Sequence, residues 1–183
     1  CALVIGAETL SRITDWEDRN TCVLFADGAG AAILKPSEDP GIIYSKLGAN
    51  GAYSDLLYVP YGTSKRPLKE QRNDNFLQMK GNEVFKVAVK TLESIAKDSL
   101  KEVNMTSEDI DWFIPHQANI RIIQAVSKRL NIPEKKVIIS LTNHGNTSAA
   151  SIPLALDQSI REGKIKTGDT VLLQSFGAGF TWG

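Results

Sequence analysis

A chain of 183 residues, 42% hydrophobic and 23% charged, is long enough to bury a core and ordinary for one soluble globular unit. Its 21 basic and 21 acidic side chains cancel to a formal net charge of zero, which argues against a nucleic-acid binder, whose footprint is a basic excess. Any electropositive docking site must then be a local patch. No apolar stretch approaches the ~18 residues of a membrane span, and no secretory leader pattern opens the chain, so the expected location is the cytoplasm.

The two cysteines, Cys1 and Cys22, have neither metal-ligand spacing nor a disulfide framework. Cys1 leads into Ala2-Leu3-Val4-Ile5-Gly6, a buried-strand pattern, whereas an activated thiol is expected at a helix N-terminus. Both cysteines are read as small core residues. An apolar run from Thr21 to Ala26 is followed by Asp27-Gly28-Ala29-Gly30 and by Ala31 to Leu34. A dinucleotide loop would need a third glycine and a following helix; Ala31 to Leu34 reads as a strand, so Gly28 and Gly30 are read as a tight structural turn.

Lys35 to Gly41 contains two prolines and a glycine, and a domain boundary is placed there, dividing residues 1–38 from 39–183. Gly41 to Tyr44 begins another strand, and Gly62 to Asn75 reads as a charged, solvated loop. The clearest helix runs from about Asn82 to Val103, with Phe85, Ala88, Leu92, Ile95, Ser99 and Val103 on one stripe and Lys86, Lys90, Glu93, Lys97 and Lys101 opposite. A second, about Asn119 to Leu130, buries Ile122, Ile123, Val126 and Leu130 and leaves Arg121, Gln124, Lys128 and Arg129 outside. A third spans about Ser148 to Glu162, with Pro153 near its first turn and Gly163 as its C′ residue, before a strand Thr170 to Ser175. Strands alternating with helices mark an α/β unit.

Two polar clusters stand out, Pro115 to Asn119 and Asn143 to Ser151. Each follows a short apolar run (Trp112-Phe113-Ile114 and Val137-Ile138-Ile139) and opens a helix, which places both at the carboxyl ends of strands, where open α/β sheets bind ligands. A histidine and an asparagine delivered there can both donate to one substrate oxygen on which negative charge develops. On spacing alone the plainer reading, a helix-opening asparagine and a histidine satisfied by backbone, outweighs this one.

Context reverses that balance. His116-Gln117-Ala118-Asn119, Gly145-Asn146-Thr147-Ser148-Ala149 and Phe176-Gly177-Ala178-Gly179-Phe180-Thr181-Trp182-Gly183 resemble, in order and spacing, β-ketoacyl carrier-protein synthase III, the thiolase-fold condensing enzyme that starts type II fatty-acid synthesis. The resemblance runs over essentially the whole chain. It implies an α/β, thiolase-like fold: the C-terminal half, a layered mixed sheet with helices, plus a remnant of the N-terminal half. Family members carry a nucleophilic cysteine in an N-terminal half mostly lacking here, and a final strand beyond Gly183. The chain is therefore expected to be the C-terminal part of a larger enzyme, inactive by itself and homodimeric when complete.

The chemistry implied by the resemblance is a decarboxylating Claisen condensation. An acyl group passes from acyl-CoA, expected to be acetyl-CoA, to the cysteine, and malonyl-thioester on acyl carrier protein loses carbon dioxide and attacks it. No cofactor or metal is implied beyond the phosphopantetheine of the substrates. The catalytic pair is His116 and Asn146, holding the enolate oxygen. The backbone N–H of Ala178 would serve the other oxyanion, alanine standing where a glycine would give more freedom in φ. Phe176 would line the pocket, or be a core aromatic. His144 is read as structural.

Contacts to the phosphopantetheine arm fall on Gly81, Asn82, Phe85, Ala118, Asn119, Arg121 and Ile122, with Arg19 near the nucleotide end. Because acyl carrier proteins are acidic, Lys86, Arg121, Ala125, Lys128 and Arg129 form the expected docking face, although Lys86 reads equally well as a solvated helix position. The alternatives are another thiolase-fold enzyme, such as a hydroxymethylglutaryl-CoA synthase or a polyketide starter synthase, and a non-catalytic carrier-protein docking subunit.

Overall fold

The computed structural model describes residues 1–60 and 76–183; the expected loop Gly62 to Asn75 lies outside the described residues. Strand β1 (Ala2–Glu8) runs antiparallel to β2 (Gly28–Leu34), from Ala2 opposite Leu34 to Glu8 opposite Gly28. Gly28 and Gly30 are thus strand residues and not a turn. The reason is packing: a Cβ on Gly30 would stand 2.9 Å from the Pro153 ring, one on Gly28 2.8 Å from Thr147 Cγ2, and one on Gly6 2.3 Å from the Ala149 carbonyl oxygen. Only hydrogen fits, so the ribbon lies directly against the segment that carries Asn146.

The large apolar side chains of this ribbon, Leu3, Val4, Ile5 and Ile33, are exposed. The buried-strand expectation for Ala2 to Gly6 is therefore corrected, and so is the core reading of the cysteines, because Cys1 is exposed and Cys22 half-buried. The Thr21 to Ala26 run forms no ladder; it turns, then makes one parallel bridge from Phe25 to Asn146.

Residues 35–47 carry no regular structure, so the strand expected at Gly41 to Tyr44 is absent, and Ile42 and Ile43 are exposed. Strand propensity without a ladder partner does not make a strand. Short strands follow: β3 (Gly48–Ala49), β4 (Leu57–Tyr58) and β5 (Gln78–Met79), the last two paired antiparallel.

Helix α1 (Gly81–Glu102) buries Val84, Ala88, Val89, Leu92, Ile95, Ala96 and Leu100. This face is broader than, and rotated from, the expected stripe, leaving Phe85, Ser99 and Val103 half-buried. The cause is a double contact, with α1 packing on both the next helix and the core around Phe113, Phe176 and Phe180. Strand β6 (Trp112–Pro115) leads to helix α2 (Ile120–Arg129), capped by the Asn119 side chain accepting from Arg121 N–H at 2.8 Å. Its buried face, Ile122, Ile123, Val126 and Leu130, is the expected one.

The run Val137 to Ile139 contributes only one parallel bridge, Val137 to Phe113, and leads to the short helix α3 (Leu141–His144). Helix α4 (Ser151–Arg161) starts after a 3-10 turn at Ser148–Ala150, so the third helix begins later than expected. Pro153 sits in its first turn, where a missing N–H breaks no helical bond, and Gly163 beyond its end has φ +69°. Strand β7 (Val171–Gln174) pairs parallel with β6, Pro115 opposite Gln174. Strands β8 (Phe176–Gly177) and β9 (Thr181–Trp182) form a hairpin, and β9 also pairs β3.

Helices thus pack around a mixed set of parallel and antiparallel pairs. Among the described residues no helix is long and apolar enough to cross a membrane.

Candidate active site

His116 is the first residue past β6, whose Phe113 and Ile114 are completely buried. Its N–H donates to the Gln174 carbonyl at 2.7 Å, continuing the pairing with β7. The ring lies edge-on to Phe176, centroids 6.3 Å apart, and Nδ1 is 2.6 Å from Ser151 Oγ, which also accepts from Gln117 N–H at 3.2 Å. Burial pushes the His116 pKa down from 6.5 to about 4, so the imidazole is neutral at physiological pH.

Asn146 is held by its backbone: its N–H donates to Leu24 O at 3.0 Å, and its carbonyl accepts from Ala26 N–H at 2.8 Å. The Asn146 side-chain oxygen accepts from Ser148 N–H at 3.0 Å, and because only the oxygen can accept, the amide NH2 is the free end. Ser148 has φ +50°, a left-handed position for a non-glycine residue, and its hydroxyl is held by Glu8 Oε1 at 3.2 Å. Glu8, at the end of β1, thus stabilises the turn that aims Asn146.

Both side chains line one cavity of about 850 Å³. Phe176 and Ala178 reach it from the β8 to β9 hairpin, Ala118, Asn119, Arg121 and Ile122 from the start of α2, and Gly81, Asn82 and Phe85 from the start of α1. Ala178 is not in the left-handed region, so alanine brings no backbone strain there. Phe176 is both a core residue and part of the cavity wall.

Arg19 is exposed and outside the wall; its neighbours Asp18 and Asn20 line the cavity instead. His144 is exposed on α3 and does not line it. Lys86, Lys128 and Arg129 are exposed on the helices behind, but Arg129 Nη1 is paired with Glu93 Oε2 at 2.7 Å and Ala125 is half-buried against the core.

Sequence reading missed the wall from the N-terminal part, Leu10, Ile13, Leu24 and Phe25. The signal available was the apolar run before Asp27, whose partner across the chain could not be read from periodicity. A second cavity, about 820 Å³, shares His116, Ser148, Phe176 and Gly177 with the first. Among the described residues no group of three or more His, Cys, Asp and Glu stands close enough to hold a metal ion. What the site offers is a neutral imidazole and a side-chain amide on one cavity, groups able to donate to an oxygen that becomes negative.

The buried imidazole has a consequence for stability. Between pH about 6.5 and 4 the unfolded chain protonates this residue while the native one does not, so stability is full above 6.5 and falls as pH drops toward 4. Carboxylates such as Asp18, Asp27 and Glu93, lowered by hydrogen bonds from Asn20, Ser11 and Lys97, act at more acid pH. Urea midpoints should therefore decline from pH 6.5 to 4.5, and decline less in His116→Gln; equal slopes would contradict a neutral buried His116.

Residues 100–183 match the family model described as 3-oxoacyl-[acyl-carrier-protein (ACP)] synthase III C terminal, and residues 1–51 match the model 3-oxoacyl-[acyl-carrier-protein (ACP)] synthase III. The β-ketoacyl-[acyl-carrier-protein] synthase III of Thioalkalivibrio sulfidiphilus is 54% identical over 183 residues, covering 100% of this chain and 57% of that protein. That of Alkalilimnicola ehrlichii is 56% identical over 182 residues, 56% of its length. The crystal structure of 3-oxoacyl-[acyl-carrier-protein] synthase III from Aquifex aeolicus superposes with a TM-score of 0.89 at 46% identity, covering 98% of this chain and 55% of that one. The chain thus spans a little over half the length of these relatives, with the thiolase-like α/β fold. Matched in order by both models of one family, and at this identity along its whole length, the chain belongs to the 3-oxoacyl-[acyl-carrier-protein] synthase III family.

Proposed function

We propose that this chain is the C-terminal part of a condensing enzyme that joins an acyl group from acyl-CoA to malonyl-acyl carrier protein, with a nucleophilic cysteine supplied by an N-terminal half. One observation carries the reading: His116, kept neutral by burial, and Asn146, whose side-chain oxygen is taken by Ser148 N–H, come from two different segments to line one cavity. When the bond between Cα and the carboxylate of the malonyl group breaks, carbon dioxide leaves and its electron pair forms an enolate. The enolate carbon then attacks the acyl-cysteine carbonyl, and the thiolate departs. Two neutral donors stabilise the enolate oxygen without handing it a proton, and a histidine with a pKa of about 4 stays neutral throughout.

The cavity volume falls in the range of small-molecule sites and suits a thioester arm entering past the starts of α1 and α2. Ala178 N–H serves the tetrahedral intermediate at the cysteine. The complete enzyme works as a cytoplasmic homodimer without a cofactor, and the boundary between its domains falls near residue 38, in the irregular segment after β2.

The test separates two half-reactions in the complete polypeptide. His116→Ala or Asn146→Ala should slow malonyl decarboxylation by about 10²- to 10³-fold, while radiolabelled acyl-CoA still acylates the cysteine. The double variant should be little worse than either, because donors on one oxygen act as a unit. If acylation fell as far as decarboxylation, His116 would be the base that activates the cysteine and the enolate reading would be lost.

Carrier-protein docking goes to Lys86, Arg121 and Lys128, all exposed, with Arg121 also on the cavity wall. Reversing Lys86 and Lys128 should weaken use of malonyl carrier protein and flatten its salt dependence, leaving acyl-CoA exchange less affected, because rim charges act on encounter; reversing Arg121, which also lines the cavity, should weaken both. Unchanged carrier-protein kinetics would reduce the patch to solvated helix faces.

A further inference from the structure

We infer that Ser151, the first residue of α4, is a positioning residue that fixes the tautomer and the aim of the His116 ring, so that Nε2 carries the hydrogen on the cavity side. Ser151 is 2% exposed, and its hydroxyl oxygen has two neighbours: His116 Nδ1 at 2.6 Å and Gln117 N–H at 3.2 Å. The backbone N–H can only donate, so it occupies one acceptor site of the oxygen. The hydroxyl has a single proton to place. If Nδ1 carried the ring hydrogen, Oγ would accept twice and its own proton would need another acceptor, and among the described residues Oγ has none. If Nδ1 is bare, the hydroxyl donates to it and every group is satisfied. Burial makes the second arrangement strongly preferred, because a hydroxyl cut off from solvent leaves its desolvation cost uncompensated when its proton has no acceptor.

The consequence reaches the cavity through the ring. With the hydrogen on Nε2 the histidine is a donor toward the site; with it on Nδ1 the same ring would turn a lone pair toward an oxygen gaining negative charge. The catalytic meaning of this rests on the enolate reading above, whereas the tautomer itself does not. Ser151 also opens α4, the helix that packs on β2.

The experiment uses the complete polypeptide labelled with 15N-histidine, whose ring nitrogens report the tautomer in two-bond 1H–15N correlation spectra; the His116 signals are those lost in His116→Gln. The wild type should show Nε2–H, and Ser151→Ala should move the ring to Nδ1–H or a mixture. In the same variant malonyl decarboxylation should fall by about 10- to 100-fold, the range seen when a partner that orients a histidine is removed, with cysteine acylation changed by less than about threefold. Ser151→Thr keeps the hydroxyl and should keep the Nε2–H signature. An unchanged Nε2–H spectrum in Ser151→Ala would overturn the inference, as would equal losses in both half-reactions. Absence of decarboxylation in the wild type would instead remove the functional reading and leave the spectral result to decide the tautomer.

Discussion

The side chain of Gln117 is the polar bond on which the rest of the site depends. It has no exposed surface, and its amide serves four backbone groups: Nε2 donates to Pro115 O and Ile138 O, and Oε1 accepts from Ser140 N–H and Leu141 N–H. Each such bond contributes about 1 kcal/mol net, but leaving those buried groups unpaired costs more. Gln117 therefore fastens the end of β6, where His116 begins, to the segment leading through α3 to Asn146. Its own N–H reaches Ser151, so the first residue of α4 is tied into the same network.

Packing supplies what hydrogen bonds alone cannot. The β1–β2 ribbon approaches the 147–154 segment at backbone distance because glycines face it, and from its edge Glu8 holds Ser148 in a left-handed conformation. Leu24 and Ala26 then grip Asn146 from the second side. A donor so held loses little entropy when a substrate oxygen arrives, which is what makes a preorganised polar site effective. The histidine side is stiffened differently, by Phe176 across the ring and Ser151 below it.

Much of this was legible in the residues. The first polar cluster sits at the carboxyl end of β6, as the apolar run before it predicts, and the amphipathic period of α2 picks its buried face correctly; the second cluster follows a run that makes one bridge and no strand, so only its place in the chain is the expected one. The misses share one cause. Gly28 and Gly30 looked like a turn because a glycine's neighbours across the fold cannot be seen from its own stretch, and the same blindness hid Leu24 and Phe25. Gly41 to Tyr44 had strand composition without a partner. On α1 the period was right and its phase was not, because two bodies pack on that helix and a single stripe describes only one. Arg129 is exposed, as its pattern predicts; what the pattern does not show is its pairing with Glu93, which crosses from α2 to α1, a contact set by how the helices pack.

The central claim is that His116 and Asn146 donate to the same thioester oxygen. It is tested most directly by the carbonyl stretch of a 13C-labelled malonyl-thioester analogue that cannot decarboxylate, bound to the complete enzyme and read by isotope-edited infrared difference spectroscopy. Two converging donors should move the stretch below its frequency in water, and loss of either side chain should return most of the shift. A bound carbonyl that absorbs at or above its aqueous frequency, or a shift indifferent to both residues, would contradict the account.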